Sequence, residues 1–142
     1  MSTTTVRLDQ IWADNDPRSS GRFLRVSAID GDRAAVREVG YDVTNGIAVD
    51  LQRKRISRIR LDRFRPTSSG YRLVVDIAVR ERLSGGGTVW HRPHPAHDCA
   101  RVCNWHPLAC SASGTGLAVP LTAVPVDLRR AGERWCPTCR QP

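Results

Sequence analysis

Phe23-Leu24-Arg25-Val26-Ser27-Ala28-Ile29-Asp30-Gly31-Asp32-Arg33-Ala34-Ala35-Val36-Arg37-Glu38-Val39 is the stretch on which the fold turns. Two apolar runs, residues 23–29 and 34–39, flank Asp30-Gly31-Asp32. Asp-Gly supplies positive φ at little steric expense, so the pair predicts a tight hairpin. Working outward, residues 6–12 place Val6, Leu8, Gln10 and Trp12 on one face at a period of two. Asp14-Asn15-Asp16-Pro17 and Ser19-Ser20-Gly21 mark a polar loop, and Thr44-Asn45-Gly46 marks a further turn. Residues 47–51, 56–61 and 70–75 complete the set. The expectation is five or six short strands over residues 6–75, enough for a small closed or half-closed barrel that leaves few exposed edges.

The chain has 142 residues, and 22 Lys and Arg against 14 Asp and Glu give a net charge of +8. Apolar residues make up 40%, which argues against a wholly disordered chain. No run approaches the ~18 apolar residues of a transmembrane helix, and Met1-Ser2-Thr3-Thr4-Thr5 lacks the basic-then-apolar pattern of a secretory signal. A cytoplasmic protein is the expectation. Lys54 is the single lysine. GC-rich coding accounts for much of that bias, and guanidinium forks also suit phosphate and carboxylate partners.

Residues 76–83 fit both a period of two and helical spacing, and are read as strand running into helix. Ser84-Gly85-Gly86-Gly87 then reads as a flexible linker. The expected division is therefore an Arg-rich β-barrel, residues 1–83, and a Cys/His-rich module, residues 84–142. Within the latter, residues 117–121 read as a short edge strand, since Pro120 is tolerated only at an edge, and residues 127–135 as one or two helical turns with Asp127 as N-cap.

All five cysteines lie in that second part: Cys99, Cys103, Cys110, Cys136 and Cys139. An odd count clustered with histidine favours a metal over a disulfide scaffold. Cys136-Pro137-Thr138-Cys139 is a C-x2-C turn of the kind that presents two thiolates to one tetrahedral zinc. Its partners are sought among residues 91–110. Cys99, Cys103, His106 and Cys110 would share a helix face, but over about 16 Å, too long for one ion. Cys99 with Cys103 is the first choice, and His97 or His106 in place of one of them is the rival. His91 and His94 lie in a segment held extended by Pro93 and Pro95, and read mostly as surface residues with room for one ligand. Buried free thiols, an iron–sulfur cluster and a redox dithiol are the competing readings. Cys110, left outside the site, would be a buried or a reactive thiol. Only Asp98 and Glu133 lie near enough in sequence to serve a catalytic zinc, and neither sits in a hydrolytic motif, so no enzyme is expected.

Arg53, Lys54, Arg55, Arg58, Arg60, Arg63 and Arg65 put seven cations in thirteen residues, opposed only by Asp62. With Ile59 and Leu61 inward, Arg58 and Arg60 point outward on a strand. That face suits a nucleic-acid backbone or another anion, or is a solvated face paired with acidic neighbours. Asp9, Asp14 and Asp16 read as turn-forming residues rather than catalytic carboxylates.

Three stretches carry a resemblance: residues 12–26 (Trp12-Ala13-Asp14-Asn15-Asp16-Pro17 onward), residues 56–64 (Ile56-Ser57-Arg58-Ile59-Arg60 onward) and Gly70-Tyr71-Arg72-Leu73-Val74. Residues 6–75 resemble a family of small proteins from GC-rich Gram-positive bacteria and their phages. The resemblance implies an SH3-like β-barrel and no particular activity. The tail is similar to short actinobacterial zinc fingers that end in C-x2-C. Together these readings lead to a non-enzymatic protein with structural Zn2+ that associates with nucleic acid or a nucleoprotein machine. A protein-interaction adaptor, phage-encoded and directed at an acidic host protein, is the alternative, and a metal- or thiol-dependent enzyme the least favoured.

Overall fold

A computed structural model describes residues 5–19, 21–52, 55–95, 105–110 and 116–139. The described residues are mainly β, and their helical content is two one-turn 3-10 helices, Pro17–Ser19 and Leu61–Arg63. The chain packs as two units that divide between Asp76 and Ile77.

The first unit contains β1 (Ile11–Asp14), β2 (Phe23–Asp30), β3 (Arg33–Asp42), β4 (Ile47–Asp50), β5 (Ile56–Arg60) and the first half of β6 (Tyr71–Arg82). The strand order is β6-β1-β2-β3, all antiparallel, with β4 and β5 paired to successive stretches of β3. The Asp30-Gly31 turn forms as expected, with Gly31 at φ 59° and Asp30 opposite Arg33. Alternation then decides the faces. Leu24, Val26, Ala34 and Val36 point to a core with Trp12, Phe64 and Tyr71, while Ile59, Leu61 and Leu73 close its sides. Trp12 and Phe64 meet edge to face at 5.1 Å between ring centroids, a favourable quadrupole geometry. A second cluster, Ile11, Val39 and Val75 with Phe23 and Tyr41, covers the opposite face of the same strands.

Two expectations need correction here. The first strand begins at Ile11, because Asp9 adopts a left-handed backbone (φ 69°) that interrupts the pattern; Val6 and Leu8 pack against the core from outside the sheet. No closed barrel is found among the described residues: β5 and β6 share the core through Ile59 and Tyr71 but do not pair. The turn between them depends on Gly70, where a Cβ would collide with the Arg65 carbonyl and approach Thr67 Oγ1 at 2.7 Å. Gln10, fully buried, accepts from Trp12 Nε1 at 3.2 Å and donates to Asp76 Oδ1 at 2.8 Å, which keeps both polar groups satisfied inside.

The second unit is built on the rest of β6, with β7 (Thr88–His91), β8 (His106–Pro107), β9 (Gly116–Leu117), β10 (Leu121–Pro125) and β11 (Glu133–Trp135). β6 stays a strand to Arg82 instead of turning helical, since Val79 to Arg82 pair with β7 while Ile77, Ala78 and Val79 are all buried. The stretch Ser84-Gly85-Gly86-Gly87 is the β6–β7 turn, with Gly86 and Gly87 at φ 95° and 92° and Leu83 N–H bonded to the Gly87 carbonyl at 3.1 Å. β11 joins the far side of β7 in parallel, and β10 also pairs with β6. Ala78, Trp90, Val124 and Trp135 form the core, with both indole N–H groups satisfied: Trp90 donates to Glu133 and Trp135 to the Pro125 carbonyl. The helical turn expected over 127–135 is instead an irregular approach ending in β11, because backbone pairing to β7 claims residues 133–135. No helix among the described residues is long and apolar enough to cross a membrane.

Candidate metal centre

Three backbone pairings converge on β7. Val89, Trp90 and His91 alternate along it, so His91 shares a face with Val89. On one side β11 runs parallel, Trp135 opposite Trp90, and the next residue, Cys136, donates its N–H to the Trp90 carbonyl at 2.8 Å. Beyond the strand's end, residues 92–94 run antiparallel to 107–109: Ala109 N–H bonds the Arg92 carbonyl at 2.8 Å, and His94 N–H the Pro107 carbonyl at 2.7 Å. Pro93 pairs with Leu108 between them. Two residues further along that ladder Cys110 faces His91. The Cys136-Pro137-Thr138-Cys139 turn then folds Cys139 back toward the same point.

The result is a group of four donors, His91, Cys110, Cys136 and Cys139, whose ligand atoms all lie within 4.8 Å of one another. His91 Nδ1 is 3.5 Å from Cys110 Sγ and 3.7 Å from Cys139 Sγ. A tetrahedral zinc with Zn–S of about 2.3 Å and Zn–N of about 2.0 Å sets neighbouring donors roughly 3.5–3.8 Å apart. The two imidazole–thiol distances match. His91, Cys136 and Cys139 are buried and Cys110 is half-buried, and Val89 packs against the thiols. All three cysteines are free of disulfides. The cluster is able to hold a metal ion.

The thiols differ in readiness to ionise. Burial raises Cys136, but the backbone N–H groups of Cys139 and Thr138 aim at its sulfur and hold it below the ordinary thiol value. Burial raises Cys110, and the neighbouring Cys136 charge adds to it. Cys139 is pushed up to about 12, first by burial and further by the adjacent thiols, against the opposing N–H of Arg92. Without a cation, neighbouring thiolates in this space repel one another, which opposes the ionisation of Cys110 and Cys139. A divalent ion removes that obstacle by displacing the protons.

His91 has a second contact: its Nε2 lies 2.8 Å from Glu81 Oε1. A carboxylate only accepts, so this contact is a hydrogen bond when the imidazole carries its proton on Nε2, which leaves the Nδ1 lone pair toward the sulfurs. Carboxylate–histidine pairs of this kind orient metal ligands.

Of the residues expected at the metal from sequence, Cys136 and Cys139 are in the group. Cys99, Cys103 and His97, with Asp98, lie outside the described residues. His106 is buried in β8, and neither it nor His94 belongs to the group. From sequence His91 reads mostly as a surface residue in a segment with room for one ligand, and Cys110 as lying outside the site; the alternation of Val89 with His91 is the one local sign that this histidine faces inward.

The cationic stretch lies in the first unit. Arg53 and Lys54 are outside the described residues; Arg55, Arg58, Arg60, Arg63 and Arg65 are all exposed. Arg60 pairs with Asp62 at 3.5 Å, and Arg63 donates to the Ser69 carbonyl while lying over the Tyr71 ring. Strand register adds Arg33 and Arg37, which sequence spacing did not, and brings in Arg25, which depended on sheet order. Arg33 stands opposite Arg60 and Arg37 opposite Arg25, on the face turned away from Ala34 and Val36. Asp14 and Asp16 serve the local turn, accepting from the N–H groups of Asp16 and Arg18 respectively, and Arg18 holds the Asp16 carboxyl below its usual range.

Comparison of the chain with known protein families, with curated proteins and with solved structures gives no match, so the reading rests on this geometry.

Proposed function

We propose that this is a non-enzymatic, cytoplasmic zinc protein in which one structural Zn2+ on His91, Cys110, Cys136 and Cys139 staples a zinc-ribbon-like second unit. The observation that carries this is four donors whose ligand atoms all lie within 4.8 Å of one another. Three thiolates and one imidazole form a closed structural donor set, with no position left for a reacting water. An iron–sulfur cluster ordinarily takes four thiolates. Reduced thiols fit a reducing compartment. Metal analysis of protein purified without chelator is the test: one zinc per chain is expected, lost in Cys136→Ser. A wild-type chain that neither carries zinc nor binds added cobalt would overturn the proposal.

A second part of the reading is association with nucleic acid or a nucleoprotein through the first unit. Support comes from the outer face of β2, β3 and β5, where Arg25 with Arg37 and Arg33 with Arg60 are like-charged cross-strand pairs. Such pairs are unfavourable unless something anionic relieves them. Asp50 engages Arg25 at 2.7 Å and Asp30 stands opposite Arg33 in the register, yet Arg33, Arg37 and Arg58 have no ion-pair partner among the described residues. Ala28 and Ala35 leave that face flat enough for a phosphate backbone to approach. The order β6-β1-β2-β3-β5, with a 3-10 turn between β5 and β6, also favours an SH3-like arrangement. Fluorescence anisotropy with duplex DNA and with RNA at low salt tests the association. Binding to neither, together with a single protein retained in a nuclease-treated pull-down, would replace it with the adaptor reading.

A further inference from the structure

We infer that Glu81 is a positioning residue for the metal centre, fixing His91 as the Nε2–H tautomer so that Nδ1 is the ligating nitrogen. The inference deepens the zinc reading and rests on it for the identity of the ion.

The β6–β7 ladder makes the arrangement. Glu81 stands opposite Val89, and Val79 opposite His91. Glu81 and His91 are therefore diagonal neighbours on one face, close enough for long side chains to touch. Their contact, Nε2 to Oε1 at 2.8 Å, has the length of a sound hydrogen bond. Val89, opposite Glu81 and on the same face as His91, packs on the Cys136 and Cys139 side chains.

Burial is graded along the same line. The His91 side chain is 8% exposed and that of Glu81 43%. The carboxylate therefore stays partly hydrated while its inner oxygen reaches the ring, and no unpaired charge is buried. With Nε2 committed to Glu81, the ring is held with Nδ1 toward Cys110 and Cys139, and the imidazole becomes a stronger donor. Without Glu81 the ring is free to adopt the other tautomer, with the proton on the nitrogen that must bind the ion.

The test joins two readouts on the full chain: long-range 15N–1H correlation of the His91 ring, and zinc affinity by competition with a chromophoric chelator. Wild type is expected to show protonated Nε2 in both metal-free and zinc-loaded forms. Glu81→Ala is expected to mix the tautomers when metal-free and to bind zinc about 10–100-fold more weakly. Glu81→Gln, whose amide oxygen still accepts the proton, should keep the tautomer and lose less affinity than Glu81→Ala. A proton on Nδ1 in the wild type, or Glu81→Ala binding zinc as tightly as wild type, overturns the inference. A wild type that takes up no zinc overturns the proposed metal, while the tautomer of its metal-free form still decides the role of Glu81.

Discussion

Cys136 donates its backbone N–H to the carbonyl of Trp90 at 2.8 Å, and through that bond the C-terminal turn hangs beside His91. The bond extends a parallel ladder of only three residue pairs, Glu133 to Trp135 with Thr88 to Trp90. So short a ladder depends on how it starts. Thr88 N–H bonds the Gly132 carbonyl at 2.8 Å, and the preceding Gly87 lies where a Cβ would come within 3.0 Å of that oxygen.

Gly87→Ala is therefore expected to loosen the metal centre from a distance. The residue has φ 92°, a region costly for a side chain, and the new methyl meets a carbonyl that cannot easily retreat. A loss of about 1–3 kcal/mol in unfolding free energy is expected, with weaker zinc retention. Urea denaturation and chelator competition on the same variant check both.

Individual thiol replacements should separate the two ligand sets. Cys110→Ser, Cys136→Ser and Cys139→Ser are each expected to abolish the cobalt–thiolate charge-transfer band or reduce it by one ligand. Cys99→Ser and Cys103→Ser should leave it unchanged. The opposite pattern, with Cys103 needed and Cys110 dispensable, would return the site to the spacing argument.

Loaded and metal-free protein should respond to pH in opposite senses. Zinc binding displaces thiol protons, so affinity is expected to rise with pH and chelators to strip the ion more readily in acid. In the metal-free fold Cys139 is raised from 9.0 to about 12, so the folded state holds a proton that the unfolded chain releases. That contribution is full below about pH 9 and disappears as pH climbs toward 12. Cys110 acts in the same direction, and Cys136, lowered, acts against them. Denaturant midpoints from pH 7 to 11, with and without zinc, measure the difference.

If the outer face of β2, β3 and β5 binds a duplex backbone, Arg33, Arg37 and Arg58 each neutralise a phosphate. Replacing all three with Gln should then weaken binding to any sequence about equally. The slope of log K against log salt should fall in magnitude by about 2.7, roughly 0.9 for each contact. Arg55→Gln and Arg65→Gln, which lie off the paired strands, should change it less.

Trp12→Ala should remove the centre of the first unit's core. The ring is buried at 2% exposure against Phe64, and its indole N–H satisfies Gln10. A loss of about 3–5 kcal/mol is expected from the cavity. Leaving a buried amide oxygen with one donor fewer adds to it. Chemical denaturation gives the number directly.

Much of the first unit was legible in the sequence because its signals are local. Asp30-Gly31 specifies its own turn, and the alternation of Leu24 with Val26 and Ala34 with Val36 states which face is buried wherever those strands pair. Cys136 and Cys139 likewise mark half of a candidate metal site through one tight turn. What the sequence alone left undecided is everything that depends on pairing between distant segments. Whether residues 76–83 continue as a strand is decided by β7 lying alongside, not by their own period. Arg33 and Arg37 join Arg58 and Arg60 only because β3 lies next to β5. His91 and Cys110, nineteen positions apart, meet as partners of an antiparallel ladder, and the C-x2-C turn reaches them by a parallel one. Spacing along a chain bounds which donors a single helix or turn can bring together; it has no bearing on donors brought together by backbone hydrogen bonds across strands.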